Sequence, residues 1–183
     1  MNYDLKQAWI LTGYELFAQE GPKGLKVEVI ARKVNKSKSS FYHLFADMEV
    51  FTECLLEHHL HRVKHIVERE KNCQNVIPDL LDLLLEVKQD LFFNRQLRIH
   101  RNIPHFKKCL DKANKIEEDA ILEIWAEVLG LSDRVYIARI MLALAAENFF
   151  LQITEESFTR EWFSEYIREI SFMVKEIKNH RTN

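Results

Sequence analysis

Side chains that can bind phosphate groups and base edges are concentrated in one short stretch, ARKVNKSKSSFYHLF, at residues 31–45. Between Lys23 and Phe45, six basic residues accompany a single acid, Glu28. Hydroxyl and ammonium groups donate hydrogen bonds to phosphate oxygens, and lysine can also reach a guanine edge. The stretch therefore predicts a local contact surface for nucleic acid, although the whole chain carries a net charge of only −2.

The spacing of this stretch predicts two short helices joined by a tight turn. Apolar residues at helical spacing predict the first over Val27–Val34, and Ser37 is a suitable N-cap for the second over Ser37–Leu44. Asn35 lies in the turn and is one of the few residue types that tolerate a left-handed backbone. Two short helices joined in this way form a helix-turn-helix, whose second helix can enter the major groove of DNA.

The second helix of the pair has a polar side and an aromatic side. We expect Phe41, Leu44 and Phe45 to hold it against Phe17 and Ile30, so that its hydroxyl and lysine side chains face outward. The residues expected to contact DNA are Lys26, Lys36, Ser37, Lys38, Ser39, Ser40, Tyr42 and His43.

The bulk composition is that of a soluble globular protein, with 47% apolar and 30% charged residues in 183. The three cysteines are odd in number and form no CxxC, which is typical of a reducing compartment. The first residues, MNYDLKQAWI, lack the basic and then apolar order of a signal peptide, and charges interrupt the long apolar runs. We expect a cytoplasmic protein.

Apolar residues recur at steps of three and four throughout the chain, and strand signals are nearly absent, which predicts an all-α fold. Asp47 can cap a long fourth helix. The predicted helices cover Asp4–Gln19, Val27–Val34, Ser37–Leu44, Asp47 to about Arg69, Val76–Phe93, Asn94–Asn102, Pro104–Val128, Asp133–Ile153 and Thr159–Lys178.

The segment GPKGLKVEVIARKVNKSKSSFYHLF, with LTGYELFAQEG before it and ADMEVFTECLL after it, resembles the DNA-binding module of the TetR family of bacterial transcriptional regulators. The resemblance implies a three-helix DNA-binding domain at residues 1–46 and a helical effector-binding and dimerisation domain at residues 47–183. It also implies a homodimer on a two-fold operator and a small-molecule effector that alters DNA affinity, most often by releasing a repressor. Met48 stands where the family usually has lysine, so that phosphate contact is not transferred.

Aromatic and histidine side chains on the apolar sides of the later helices are candidates for effector contacts. His59 points to the apolar side of the fourth helix, and the resemblance implies that this side borders a ligand cavity. The alternative, and the more frequent role of such side chains, is packing in the core. The candidates are His59, Phe92, Phe93, His100, Phe106, Trp125, Phe149 and Phe150.

The last two helices have the pattern of a dimer interface, in which small residues permit close approach beside an apolar stripe. The alternative is packing within one subunit. The residues expected at the interface are Ala138, Ala145, Trp162, Tyr166, Ile170, Met173 and Ile177.

One stripe of the fourth helix carries possible metal ligands, Cys54, His58, His61 and His65. The stripe faces away from the apolar side, so we interpret it as a solvated face and expect no metal and no other cofactor. HExxH, ExxH, GxSxG and a glycine-rich phosphate loop do not occur, and an enzyme is therefore not expected. A helical interaction protein that has lost DNA binding is the alternative to a regulator.

Overall fold

The computed structural model of the chain describes residues 2–117 and 119–179, which contain helices and no strand. The predicted all-α fold is confirmed, with a helix-turn-helix followed by a helical C-terminal region. A 3₁₀ turn, Gly21–Gly24, follows the first helix, and a π-helical turn, Val76–Leu80, precedes the fifth. The α-helices are α1 (Asn2–Glu20), α2 (Val27–Lys33), α3 (Lys38–Phe45), α4 (Met48–Glu70), α5 (Leu81–Glu86), α6 (Lys88–Ile99), α7 (Pro104–Glu117), α8 (Leu122–Val128), α9 (Val135–Gln152) and α10 (Arg160–Asn179).

Two of the predicted helices are divided in the structure. The predicted helix Val76–Phe93 breaks at Val87, whose backbone leaves the helical conformation (φ −98°, ψ 26°), and α6 then continues through the boundary predicted after Phe93. The predicted helix Pro104–Val128 is divided into α7 and α8, and residue 118 between them lies outside the described residues. Apolar residues keep helical spacing across both breaks, which is why periodicity did not reveal them.

The chain packs as two compact units. We call Met1–Lys64 with Gln89–Asn114 the N-terminal unit, and His65–Lys88 with Lys115–Asn183 the C-terminal unit. Most of α6 and α7 therefore packs with the first helices of the chain. The predicted division into domains at residues 1–46 and 47–183 stays a prediction.

The core of the N-terminal unit fixes α3 through a cluster of aromatic rings. Phe41 is fully buried, and its ring centre lies 5.5 Å from that of Trp9 and 5.2 Å from that of Phe51. Phe51 in turn lies against the backbone of α1 at Gly13, where an added Cβ would be only 2.4 Å from the ring. Any side chain at that glycine would collide with Phe51, so this close approach of α1 and α4 requires Gly13.

Helix α6 completes the same core by packing against α1. The Phe93 ring stacks on Tyr14 at 4.2 Å and lies 4.4 Å from Phe17. Phe17 thus packs against Phe93 of α6, and its predicted contact with the aromatic side of α3 stays a prediction. One turn further along α6, the Gln96 amide donates to the carbonyl oxygen of Ala18 at 3.4 Å, satisfying a carbonyl at the end of α1.

A buried polar network joins α1, α4 and α6. The Tyr14 hydroxyl donates to Asp90 Oδ1 at 2.8 Å and lies 2.7 Å from His59 Nδ1. Arg62 donates to both carboxylate oxygens of Asp90, at 2.9 and 2.6 Å. Since the single proton of Tyr14 goes to Asp90, a neutral His59 must donate from Nδ1 to the Tyr14 oxygen. The network thus holds three helices at one buried point.

Burial controls the protonation of this network. Desolvation, with a further contribution from the Asp90 charge, raises the pKa of the Tyr14 hydroxyl well above its ordinary value and keeps the group a donor. Desolvation also lowers the pKa of His59 to about 3, so its imidazole is neutral at physiological pH. His59 Nε2 is buried and has no hydrogen-bond partner among the described residues.

We predict that His59→Phe makes the protein less sensitive to acid. Between a pKa of about 3 in the folded state and 6.5 in the unfolded state, the unfolded chain binds one more proton at His59 than the folded chain does. His59 therefore contributes stability that is complete above pH 6.5 and is lost as pH falls, by about 1.4 kcal/mol per pH unit. Urea unfolding of wild type and variant at pH 7.5, 6 and 5 measures this loss.

The quantity to follow is the difference in unfolding free energy between wild type and His59→Phe. Burial raises the pKa of Glu70 to about 7, so Glu70 makes the stability of both proteins depend on pH with the opposite sign, and this contribution cancels in the difference. His59→Gln serves as the matched variant, since it also cannot gain a proton but packs differently. Both variants should gain stability relative to wild type as the pH falls. A difference that stays constant from pH 7.5 to 5 would contradict the prediction.

Candidate nucleic-acid interface

The turn between α2 and α3 is built as the sequence predicted. Asn35 adopts a left-handed backbone with φ 54°, and the amide of Lys36 donates back to the carbonyl of Ala31 at 2.9 Å. Ser37 is the N-cap of α3, and its hydroxyl oxygen accepts from the Ser40 amide at 3.3 Å. These contacts close the turn and fix where the second helix begins.

The polar side of α3 is open to solvent, and its aromatic side is buried. Phe41 and Phe45 lie in the core, whereas Tyr42 is 54% exposed. Ser40 is half-buried, with its hydroxyl oxygen 3.1 Å from that of Ser37. The other residues expected to contact DNA are all exposed: Lys26, Lys36, Ser37, Lys38, Ser39, Tyr42 and His43. Their contact with DNA stays a prediction.

Helix α4 begins directly after α3. Ala46 turns the chain with a positive φ of 59°, and the Asp47 carboxylate then accepts from the Val50 amide at 2.9 Å. The predicted capping role of Asp47 is confirmed by this hydrogen bond. Met48, the residue that departs from the family pattern, is half-buried at the start of α4.

An ion pair across the helix-turn-helix was not predicted from the sequence. Lys38, the first residue of α3, donates from Nζ to Glu28 Oε1 at 2.6 Å, and both side chains are exposed. The hydrogen bond from Lys38 is the main cause that lowers the pKa of the Glu28 carboxyl. Glu28 lies ten residues before Lys38, in a different helix, so helical spacing could not reveal the pair. The only indication in the sequence was that Glu28 is the single acid in a basic stretch.

The remaining cations of the basic stretch are exposed and carry no ion pair within the described part of the chain. They are Lys23, Lys26, Arg32, Lys33 and Lys36. Exposed cations without an acidic partner are suited to phosphate oxygens, and contact with them releases counterions from DNA. The stretch therefore has two kinds of cation that could contact DNA: five without an acidic partner among the described residues, and Lys38, which is paired with Glu28.

Comparison with known families agrees with this geometry. Residues 10–53 match the model of the family described as bacterial regulatory proteins, tetR family, and the match spans the helix-turn-helix and the start of α4. The fold and the match define a DNA-binding transcriptional regulator rather than an enzyme. Within that class, residues 10–53 are similar to the tetR family, as the sequence indicated. Among curated proteins, none matches the chain.

The residues predicted to contact an effector are distributed over both units. In the N-terminal unit, the His59 ring stacks on Phe93 at 4.5 Å. In the C-terminal unit, Trp125 Nε1 donates to the carbonyl of Ala138 at 3.1 Å. Phe149 lies in an aromatic cluster with Phe158, which precedes α10, and with Phe163 of α10. The first unit contains His59, Phe92, Phe93, His100 and Phe106, and the second contains Trp125, Phe149 and Phe150. Their role in ligand binding stays a prediction.

The residues predicted for the dimer interface divide by exposure. Ala138 is fully buried beneath Trp125, and Tyr166 is buried, donating to the carbonyl of Ala145 at 2.7 Å. Those two side chains serve packing within the subunit and are not available to a partner. Ala145, Trp162 and Ile170 are half-buried, whereas Met173 and Ile177 are exposed.

The histidine stripe of α4 is less uniform than predicted. His61 and His65 are exposed, but Cys54 and His58 are half-buried, and the His58 ring meets Tyr14 edge-on at 5.1 Å. The interpretation as a solvated face is therefore wrong for His58. Within the described residues, no group of three or more His, Cys, Asp or Glu side chains is arranged to hold a metal ion.

We predict that Asn35→Ala destabilises the helix-turn-helix, whereas Asn35→Gly changes its stability less. Alanine in the left-handed region costs about 1 kcal/mol or more, and glycine adopts the same backbone without strain. Denaturant unfolding of the three proteins measures the order of stability. An alanine variant as stable as the glycine variant would show that the turn does not need a positive φ.

Proposed function

We propose that the protein is a repressor that binds a two-fold DNA operator as a homodimer and releases it when a small molecule binds. The observation that supports DNA contact most directly is the arrangement of α3. Its aromatic side is buried, whereas Lys38, Ser39 and Tyr42 are exposed and Ser40 is half-buried. A second helix in a helix-turn-helix reads the major groove with its N-terminal residues, and here those are Lys38, Ser39 and Ser40. Such a regulator would act in the cytoplasm of a bacterial cell.

The proposal of a homodimer is supported by an exposed apolar surface on α9 and α10. Leu144 on α9 is 62% exposed, and Phe172 on α10 is 63% exposed. Among the described residues, α9 is the one helix long and apolar enough to cross a membrane, and only 17% of it is buried. A second copy of the same surface would cover these side chains in a four-helix seam. The exposed apolar residues of the two helices are Val135, Tyr136, Ile137, Ile140, Leu144, Leu151, Phe172, Met173 and Ile177.

The proposal of effector control is supported by the course of α4. The residues of α4 up to Lys64 belong to the N-terminal unit and those from His65 onward to the C-terminal unit. A ligand that tilts α4 would alter the separation of the two α3 helices in a dimer. That separation must match one turn of DNA, about 34 Å, so a change of a few ångströms would weaken binding.

We predict that duplex DNA binding depends on exposed groups of the helix-turn-helix in two distinguishable ways. Lys36→Ala should lower affinity and reduce the slope of log K against log salt by about 1.8, because each of the two subunits of the dimer loses one phosphate contact. Tyr42→Phe should lower affinity without changing the slope, because a neutral hydroxyl releases no counterion. Fluorescence anisotropy with genomic fragments retained by the protein, measured at several salt concentrations, gives both quantities.

Lys64→Ala is the matched control, because Lys64 is an exposed lysine outside the basic stretch, and it should bind like wild type. Equal losses in Lys36→Ala and Lys64→Ala, with no loss in Tyr42→Phe, would indicate unspecific charge attraction. Wild-type protein that retains no duplex would favour the alternative of a helical interaction protein. Reporter transcription from a retained fragment, with and without the protein, tests whether it represses.

We predict that Leu144→Glu converts a dimer into a monomer. A charge placed in an apolar seam would be buried without a partner, which costs several kcal/mol of association free energy. Sedimentation velocity at micromolar concentration should show a dimer for wild type and about half that mass for the variant. Leu11→Glu is the control, since Leu11 is an exposed leucine of α1, 49% exposed, and should leave the dimer intact. A wild-type monomer would overturn the proposed assembly.

A further inference from the structure

We propose that Glu28 and Lys38 act as one unit that reads a G·C base pair in the major groove, with Glu28 as the specificity-determining residue. The inference rests on the proposed contact of α3 with DNA and extends it to one base pair. The pair is formed in the free protein, with Lys38 Nζ 2.6 Å from Glu28 Oε1. Both side chains are exposed, 55% for Lys38 and 62% for Glu28, so the pair is accessible to a duplex.

The position of the pair favours a base edge over the DNA backbone. Lys38 is the first residue of α3, immediately after its N-cap Ser37, and this end of a recognition helix meets the bases. If Lys38 contacted a phosphate instead, the Glu28 carboxylate would be brought beside the phosphate charges and repelled by them. The neighbouring cations have no acidic partner in the described part of the chain and serve phosphate contacts without this penalty.

The chemistry of the pair matches one base pair. In the major groove, guanine presents the acceptors O6 and N7, and its cytosine partner presents the N4 amino donor. The Lys38 ammonium has three donors, of which Glu28 uses one, and the remaining donors can reach guanine. The Glu28 carboxylate accepts from Lys38 and retains acceptor capacity for the cytosine amino group. Because Glu28 and Lys38 neutralise each other, the pair adds specificity with little unspecific attraction to DNA.

The test is selection of binding sites from a random duplex library with the full chain. Wild type should select a motif with G·C at one position of each half-site. Glu28→Gln and Lys38→Met should each bind DNA but lose the preference at that same position, roughly ten-fold in the ratio of affinities for G·C and other pairs. Lys33→Met is the matched control, because an unpaired lysine should weaken binding to all duplexes without changing the motif.

A double variant that exchanges the two residues, Glu28→Lys with Lys38→Glu, tests whether the ion pair reads a base or only stabilises the helix-turn-helix. It restores an ion pair but moves the donor to α2 and the acceptor to α3, so the selected base pair should reverse to C·G at the same position. Recovery of the wild-type motif by the exchanged protein would overturn the inference, as would an unchanged motif in Glu28→Gln. Failure of wild type to select any motif would instead overturn the proposed function.

Discussion

Burial of Phe41 is the constraint on which the DNA-binding region depends. An isolated helix of eight residues such as α3 is not stable in water, because nucleation is too unfavourable. Contacts of Phe41 with Trp9 and Phe51 supply the missing stability, and burying one phenylalanine contributes about 2 to 3 kcal/mol. Since the aromatic side of α3 carries the stability, the serines and Lys38 on the other side remain available for a ligand.

The N-terminal unit is not complete without a segment that lies far along the chain. Asp90, Phe93 and Gln96 are spaced by three residues on α6, and each contacts α1. Asp90 accepts a hydrogen bond from Tyr14, and Phe93 packs on Tyr14 and Phe17. Gln96 donates to the carbonyl of Ala18. Three contacts along one side of a helix fix both its position and its rotation. A displacement of α6 would therefore be transmitted to α1, and from α1 to the ring cluster beneath α3.

The sequence predicted what is decided locally and missed what is decided by distant contacts. Asn35, Ser37 and Asp47 carry their conformational preference in their own side chains, and the structure gives each the predicted role. Asp90 has no such signal, because a carboxylate at a helical position is usually solvated; only contact with Tyr14 and Arg62 makes it a buried core group. The exposed residues of α3 were found because charge and hydroxyl groups are concentrated there.

Strong binding to DNA would use two exposed surfaces of the protein: the polar side of α3 and the apolar side of α9 and α10. A single short helix reaches only a few base pairs, so its affinity for one half-site is limited. In the proposed dimer, two copies joined by a seam would engage the second half-site at a high effective concentration, which would multiply affinity without new contacts. An apolar helix such as α9, with Leu144 and Leu151 in solvent, is unfavourable for a monomer. The same surface would stabilise the proposed dimer if a second copy covered it, so the proposed dimerisation and DNA recognition would support each other.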